Sequence, residues 1–265
     1  MLHHTIYQHQ ESTEWVTFVH GAGGSSSIWF RQIKEYSKHF NVLLVDLRGH
    51  GQSKDVFSIF NKHYTFDAVT NDVIQVLDHL EITKSHFVGI SLGTIIIRKI
   101  AEIRPDLVSS MVMGGAIMKM NLRGRFLMKV GNMFKSIIPY MWLYQVLAFI
   151  IMPRANHKES RHMFVNEAKK VYQREFKRWF KLTSEINPLL RFFREKDSGI
   201  PTLYIMGEED HMFLPAVKKI AQNHKKASLH IIEACGHVVN IEEPTIFNQI
   251  SLQFIHKNLA VAQPL

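Results

Sequence analysis

Six short apolar runs alternate with longer amphipathic stretches along this chain of 265 residues, and that alternation restricts the fold more than any other feature. The runs are Trp15–Gly21 (WVTFVHG), Asn41–Leu47 (NVLLVDL), Ser85–Ser91 (SHFVGIS), Leu107–Gly115 (LVSSMVMGG), Pro201–Gly207 (PTLYIMG) and Ser228–Ala234 (SLHIIEA). Several are apolar at nearly every position, as expected of strands covered on both faces. Between the second and third, Phe66, Val69, Val73, Val76, Leu77 and Leu80 recur at three- and four-residue spacings, the pattern of a helix. Further helices are expected over Ile28–Phe40, from Leu92 to a stop near Pro105, around Pro215–Asn223, and from Pro244 to Leu259. Strand and helix in alternation predict a mostly parallel sheet flanked by helices, an α/β fold.

From about Ile117 to Phe193 the alternation stops, and the chain reads as several helices rich in Met, aromatic and basic residues. The expectation is one α/β core, residues 1–115 and 196–265, interrupted between its sixth and seventh main strands by a helical cap at 116–195. Charge follows the same division. The segment Ala116–Glu195 holds 16 Lys+Arg against 5 Asp+Glu, whereas the remainder holds 16 against 18, so the net charge of +9 originates in the insertion. No zinc-finger, basic-zipper or RNA-binding signature accompanies it, which argues against a nucleic-acid partner. The bland reading is a solvated helical face.

Composition removes other classes. A single cysteine, Cys235, excludes an internal disulfide framework and fits a reducing compartment. The N-terminal residues show no secretory pattern, so a cytoplasmic location is expected. Scattered histidines without ligand spacing imply no metal. "GAGGSS" does not match G-x-G-x-x-G and no Gly-Lys-Ser/Thr occurs, so no cofactor is expected.

The third run ends in Gly89-Ile90-Ser91-Leu92-Gly93 before a helical stretch. A serine at a tight strand-to-helix turn needs small flanking residues, because side chains there would strike neighbouring backbone. The helix N-terminus then offers free N–H groups and a positive dipole end to a developing oxyanion.

In this context the sequence resembles the α/β-hydrolase fold family, in its cap-bearing esterase, lipase and C–C hydrolase branch. His20-Gly21-Ala22-Gly23-Gly24 is similar to the family's HGxGG loop, and Asp46–Ser53 (DLRGHGQS) to its D-x-R-G-x-G-x-S loop. The resemblance implies Ser91 as nucleophile, with the backbone N–H groups of Ala22 and Leu92 as oxyanion hole. Asp210, three residues after Gly207 and five before Pro215, matches the acid loop and is preferred to Glu208 and Glu209. His237 in CGHVVNIEEP matches the histidine loop. His20 is expected to brace backbone, and His211 to be an exposed loop residue.

Such a triad implies a serine hydrolase acting on carboxylic esters with hydrophobic acyl groups, its partner a small-molecule acyl ester. A serine nucleophile disfavours epoxide hydrolase and dehalogenase chemistry, which use a carboxylate there. A C–C hydrolase or menaquinone-pathway-type lyase acting on an anionic substrate is the same-fold alternative. A slow-turnover ligand-sensing protein is a third.

Seven of the 12 Met lie between Met118 and Met163, and Ile137–Met152 is nearly unbroken in its apolarity. At 16 residues it is short of the ~20 needed to span a membrane. Three roles are open to it. It can line the pocket, for which Met118, Trp142, Leu143, Leu147 and Phe149 are candidates. It can contact a second copy in a homodimer through Trp142, Leu143, Leu147 and Phe149. It can also touch a membrane peripherally, aided by Arg123, Arg125, Lys129 and Lys135.

Overall fold

The computed structural model describes residues 1–54, 64–120 and 139–262. Its strands are His4–Tyr7 (β1), Trp15–Val19 (β2), Asn41–Val45 (β3), Ser85–Ile90 (β4), Val108–Gly114 (β5), Thr202–Gly207 (β6) and Ala227–Ile232 (β7). They form one sheet in the order β1-β3-β2-β4-β5-β6-β7. Every pairing is parallel except β1 with β3, where His4 faces Val45 and Tyr7 faces Val42. Sequence reading misses β1, because four residues at a half-covered edge carry too little apolar periodicity.

The α-helices are Phe30–Tyr36 (α1), Phe66–His79 (α2), Leu92–Ile103 (α3), Tyr140–Ile151 (α4), Lys158–Ala168 (α5), Gln173–Lys181 (α6), Thr183–Glu195 (α7), Leu214–Asn223 (α8), Val239–Glu242 (α9) and Pro244–Ala262 (α10). Alternating strand residues serve opposite faces of the sheet. Val16, Phe18, Val42, Leu44, Val88 and Ile90 pack with Trp29, Tyr36 and Phe247 on one side. Val19, Leu43, Val45 and Phe87 pack on the other with Val73, Leu77, Ile96, Ile100 and Val217 of α2, α3 and α8.

Helices α4 to α7 lie between β5 and β6. The insertion is fastened to the core by specific polar contacts. Trp179 Nε1–H donates to the Arg48 carbonyl at 2.9 Å, Tyr64 donates to the buried Glu175 carboxylate, and Arg31 pairs with Glu159 at 2.8 Å. Helix α4 buries Tyr144, Ala148 and Ile151 but leaves Trp142 and Phe149 55% and 57% exposed. The basic residues Arg123, Arg125, Lys129 and Lys135 lie outside the described residues. No described helix is long and apolar enough to cross a membrane.

Two consequences can be measured. Phe247 is fully buried between α10 and the sheet, so Phe247→Ala should destabilise by about 3–5 kcal/mol in denaturant titration. The second concerns His86, which is buried on β4 with Nδ1 2.7 Å from Ser110 Oγ and is pushed down to about 4, chiefly by desolvation. His50, also desolvated, is pushed down to about 3. Both are neutral when folded, whereas the unfolded chain takes up protons near pH 6.5. Stability should therefore hold above about pH 7 and fall as pH drops from about 6.5 toward 4. His86→Gln should make that decline shallower, and an unchanged slope in urea titrations across pH would count against the account.

Candidate active site

Ser91 joins β4 to α3 with φ 53° and ψ −118°, a conformation that costs a non-glycine residue about 1–3 kcal/mol. Local bonds hold it there. Its N–H donates to the Gly114 carbonyl at 3.0 Å, and its own carbonyl accepts from Thr94 N–H at 3.0 Å and Thr94 Oγ1 at 2.6 Å. Gly93 lets α3 press directly on the end of β2, since a Cβ there would strike the carbonyl oxygens of Val19 and His20.

Sheet order decides what faces this serine. From β2 the chain moves to β3 on one side, while β4 lies on the other, so the loops after β2 and β4 diverge and leave a crevice at their carboxyl ends. Ser91 occupies one lip and the Gly21–Gly24 loop the other. Leu92 is the first residue of α3 and has no carbonyl one turn earlier to bond. Among the described residues, neither the Leu92 nor the Ala22 N–H is bonded to a protein acceptor.

Two buried histidines brace this loop without touching Ser91. His20 Nδ1–H donates to the Gly21 carbonyl at 2.8 Å, and its Nε2 accepts from Leu47 N–H at 2.9 Å. His50 Nδ1–H donates to the Arg48 carbonyl at 3.0 Å, and its Nε2 accepts from Gly23 N–H at 3.0 Å. Desolvation lowers both rings, which keeps them neutral and able to accept. Sequence reading assigns His20 to backbone bracing but gives no function to His50. Its only signal is a place within the DLRGHGQS loop.

Beyond β6, Asp210 Oδ1 accepts from Phe213 N–H at 3.1 Å, and Oδ2 lies 2.8 Å from His237 Nδ1. His237 Nε2 is 2.9 Å from Ser91 Oγ. Asp210 and His237 are 0% and 1% exposed, so little water competes for either bond. Glu242 holds the histidine loop by accepting from Gly236 N–H at 2.6 Å and Val238 N–H at 3.3 Å. The structure thus brings Ser91, His237 and Asp210 into one hydrogen-bonded line. Glu209 turns away and takes Arg154, Asn156 and His157 of the insertion, while Glu208 accepts from Ala234 N–H. His211 is exposed. Cys235 is buried and its thiol is pushed up by desolvation, so it is no rival nucleophile.

The pocket wall differs from expectation. The cavity beside Ser91 is lined among the described residues by the Gly21–Gly24 loop, by Ile28, Val238 and Ile241, and by Ser160, Met163, Phe164 and Glu167 of α5. Met118, Trp142, Leu143, Leu147 and Phe149 do not line it. Met118 is buried in the core, Leu147 packs against that core, and Trp142 and Phe149 face outward. Helix α4 is apolar at every position but Gln145, so its sequence carries little direction. The spacing Ser160, Met163, Phe164, Glu167 places those four on one face of α5, a stripe that its two polar members concealed.

The model of the alpha/beta hydrolase family matches residues 18–250. The chain is 28% identical over 247 residues to the "Putative carbamate hydrolase RutD" of Agrobacterium fabrum, covering 89% of this chain and 90% of that one. It is 24% identical over 263 residues to a "Putative esterase/lipase" of Haemophilus influenzae, covering 97% and 89%. The structure of MenH from S. aureus superposes with a TM-score of 0.80 at 18% identity, covering 98% of this chain and all of that one. A family match spanning most of the chain, on a sheet of this order with this serine turn, leads to one conclusion: the protein belongs to the alpha/beta hydrolase family.

Proposed function

We propose that this protein is a serine hydrolase that cleaves carboxylic esters of short, uncharged acyl groups through an acyl-enzyme. The observation that supports this most directly is the placement of His237 between Ser91 Oγ and Asp210. With Nδ1–H donated to Asp210, Nε2 is left to accept the serine proton as Oγ attacks the ester carbonyl. The tetrahedral oxyanion is taken by the N–H groups of Ala22 and Leu92, His237 returns the proton to the leaving alcohol, and water repeats the sequence on the acyl-enzyme.

Glu167 favours a neutral substrate over an anionic one. It stands in a wall otherwise dominated by apolar side chains, held by Ser25 Oγ at 3.0 Å and by Lys170 at the surface. A second carboxylate placed beside it would meet like-charge repulsion. Among the described residues the cavity beside Ser91 is small, about 40 Å³, against the ~300–1,000 Å³ of ordinary ligand sites. Acetyl or propionyl groups suit this cap position, and longer chains require the cap to shift.

Ser91→Ala should lower ester turnover by more than about 10³-fold and remove fluorophosphonate labelling, with the fold retained by circular dichroism. Labelling that persists at another serine would take Ser91 out of the mechanism. In the wild type, kcat/KM for p-nitrophenyl acetate should exceed that for the octanoate and for the negatively charged hemisuccinate by about tenfold or more. Glu167→Gln should narrow the hemisuccinate gap alone. A wild type that prefers the hemisuccinate would instead support the lyase or C–C hydrolase reading with its anionic substrate.

A further inference from the structure

The N–H of Ala22 can serve an oxyanion only if the peptide planes on both sides of that residue are fixed. The plane before it is held through its carbonyl, since Gly21 O accepts from Gly24 N–H at 3.1 Å and from His20 Nδ1–H at 2.8 Å. The plane after it comprises the Ala22 carbonyl and the Gly23 N–H. His50 Nε2 accepts that N–H at 3.0 Å. The carbonyl is held from the opposite direction by the insertion, where Tyr144 Oη–H of α4 donates to Ala22 O at 2.6 Å. We propose that Tyr144 is a positioning residue of the oxyanion loop, so that the insertion helps to build the catalytic centre besides covering it.

Three observations carry this. Tyr144 is 3% exposed, and its ring stacks on Phe164 with centroids 4.6 Å apart and planes at 22°, so the hydroxyl is aimed by packing. Phe164 itself lines the cavity beside Ser91. Gly23, at φ +70°, leaves the space the hydroxyl needs, because a Cβ there would collide with it. Burial also raises the phenol well above its ordinary value, so the group is a donor throughout the working pH range. With Tyr144 in place, the Ala22–Gly23 peptide is gripped at both its oxygen and its hydrogen. Without it, the plane keeps only His50 and can rock, and the adjacent Ala22 N–H loses its aim. A preorganised donor is worth most when it need not reorient as charge develops, so the loss should fall on the transition state rather than on substrate binding.

The inference rests on the serine hydrolase reading, and the experiment separates the two. Wild-type protein is first labelled with a fluorophosphonate and assayed on p-nitrophenyl acetate. Absence of both would overturn the hydrolase reading and this inference with it. Tyr144→Phe, which keeps the ring and its stack, is then compared for kcat, KM, melting temperature and inhibition by a short-chain trifluoromethyl ketone, which forms a tetrahedral oxyanion on serine. The expected result is a fall in kcat of roughly 5- to 30-fold, below the ~10²–10³ typical of losing such a donor outright. KM should stay within about twofold, and the ketone should weaken by the same factor as kcat. An active wild type with unchanged kcat and ketone affinity in the folded variant would overturn the positioning role alone. So would a change confined to KM, which would put Tyr144 in substrate binding.

Discussion

The backbone of Ser91 is the constraint on which the site depends. A positive φ between a strand and a helix is unfavourable for serine, and it persists because β4, β5 and α3 fix the residues around it on every side. The same turn performs three jobs. It lifts Oγ above the sheet edge, begins a helix whose first N–H has no acceptor among the described residues, and brings α3 so close to β2 that only glycine fits at position 93. Of the two strands whose loops diverge at this point, β2 supplies the opposite lip through Gly21–Gly24. His237 and Asp210 need only reach across from the carboxyl ends of the strands that follow, and their loops are secured by Glu242 and Phe213.

A buried polar cluster couples the insertion to that edge. Arg48 pairs with Asp72 through two bonds, Nε–Oδ2 at 2.7 Å and Nη2–Oδ1 at 2.8 Å, with both side chains nearly inaccessible. The Arg48 carbonyl receives Trp179 of α6 and the His50 ring, and Trp179 stands edge-on to both His50 and Tyr64. Tyr64 in turn donates to Glu175, a carboxylate 1% exposed that is also bonded by Arg174 and Arg178. Breaking one partner would leave a buried charge unsatisfied, which is far more costly than any surface pair. The cluster therefore fixes the position of α6 over the loop containing His50. Through His50 it also fixes Gly23.

The charge of the insertion divides by side. Lys and Arg dominate its surface, and the many exposed pairs there, such as Arg191 with Glu195, contribute little to stability. Toward the cavity, α5 contributes Glu167, whose carboxylate is bonded to Ser25 and Lys170.

Much of the core was legible because its requirements are local. A strained serine needs glycine two residues on, parallel strands covered on both faces read as continuous apolar runs, and Asp210 and His237 are marked by the turns immediately around them. The core depends on neighbours in sequence, so the sequence by itself determined its alternation of strand and helix, while Asp210 and His237 were legible through the resemblance of their loops to those of the α/β-hydrolase family. The sequence could not determine which way the inserted helices face. Helix α4 is apolar but for Gln145, which shares an exposed face with Trp142 and Phe149, and one polar residue is too weak a signal to mark Tyr144 as buried. Only packing against α5 and the core sets that rotation. The bond from Tyr144 to Ala22 spans 122 residues, that from Glu167 to Ser25 spans 142, and neither has a local signature. What the tertiary structure alone decided was the pocket wall, the position of its carboxylate and the second grip on the oxyanion loop. Each depends on the azimuth of a helix, and that is settled by the surfaces it meets.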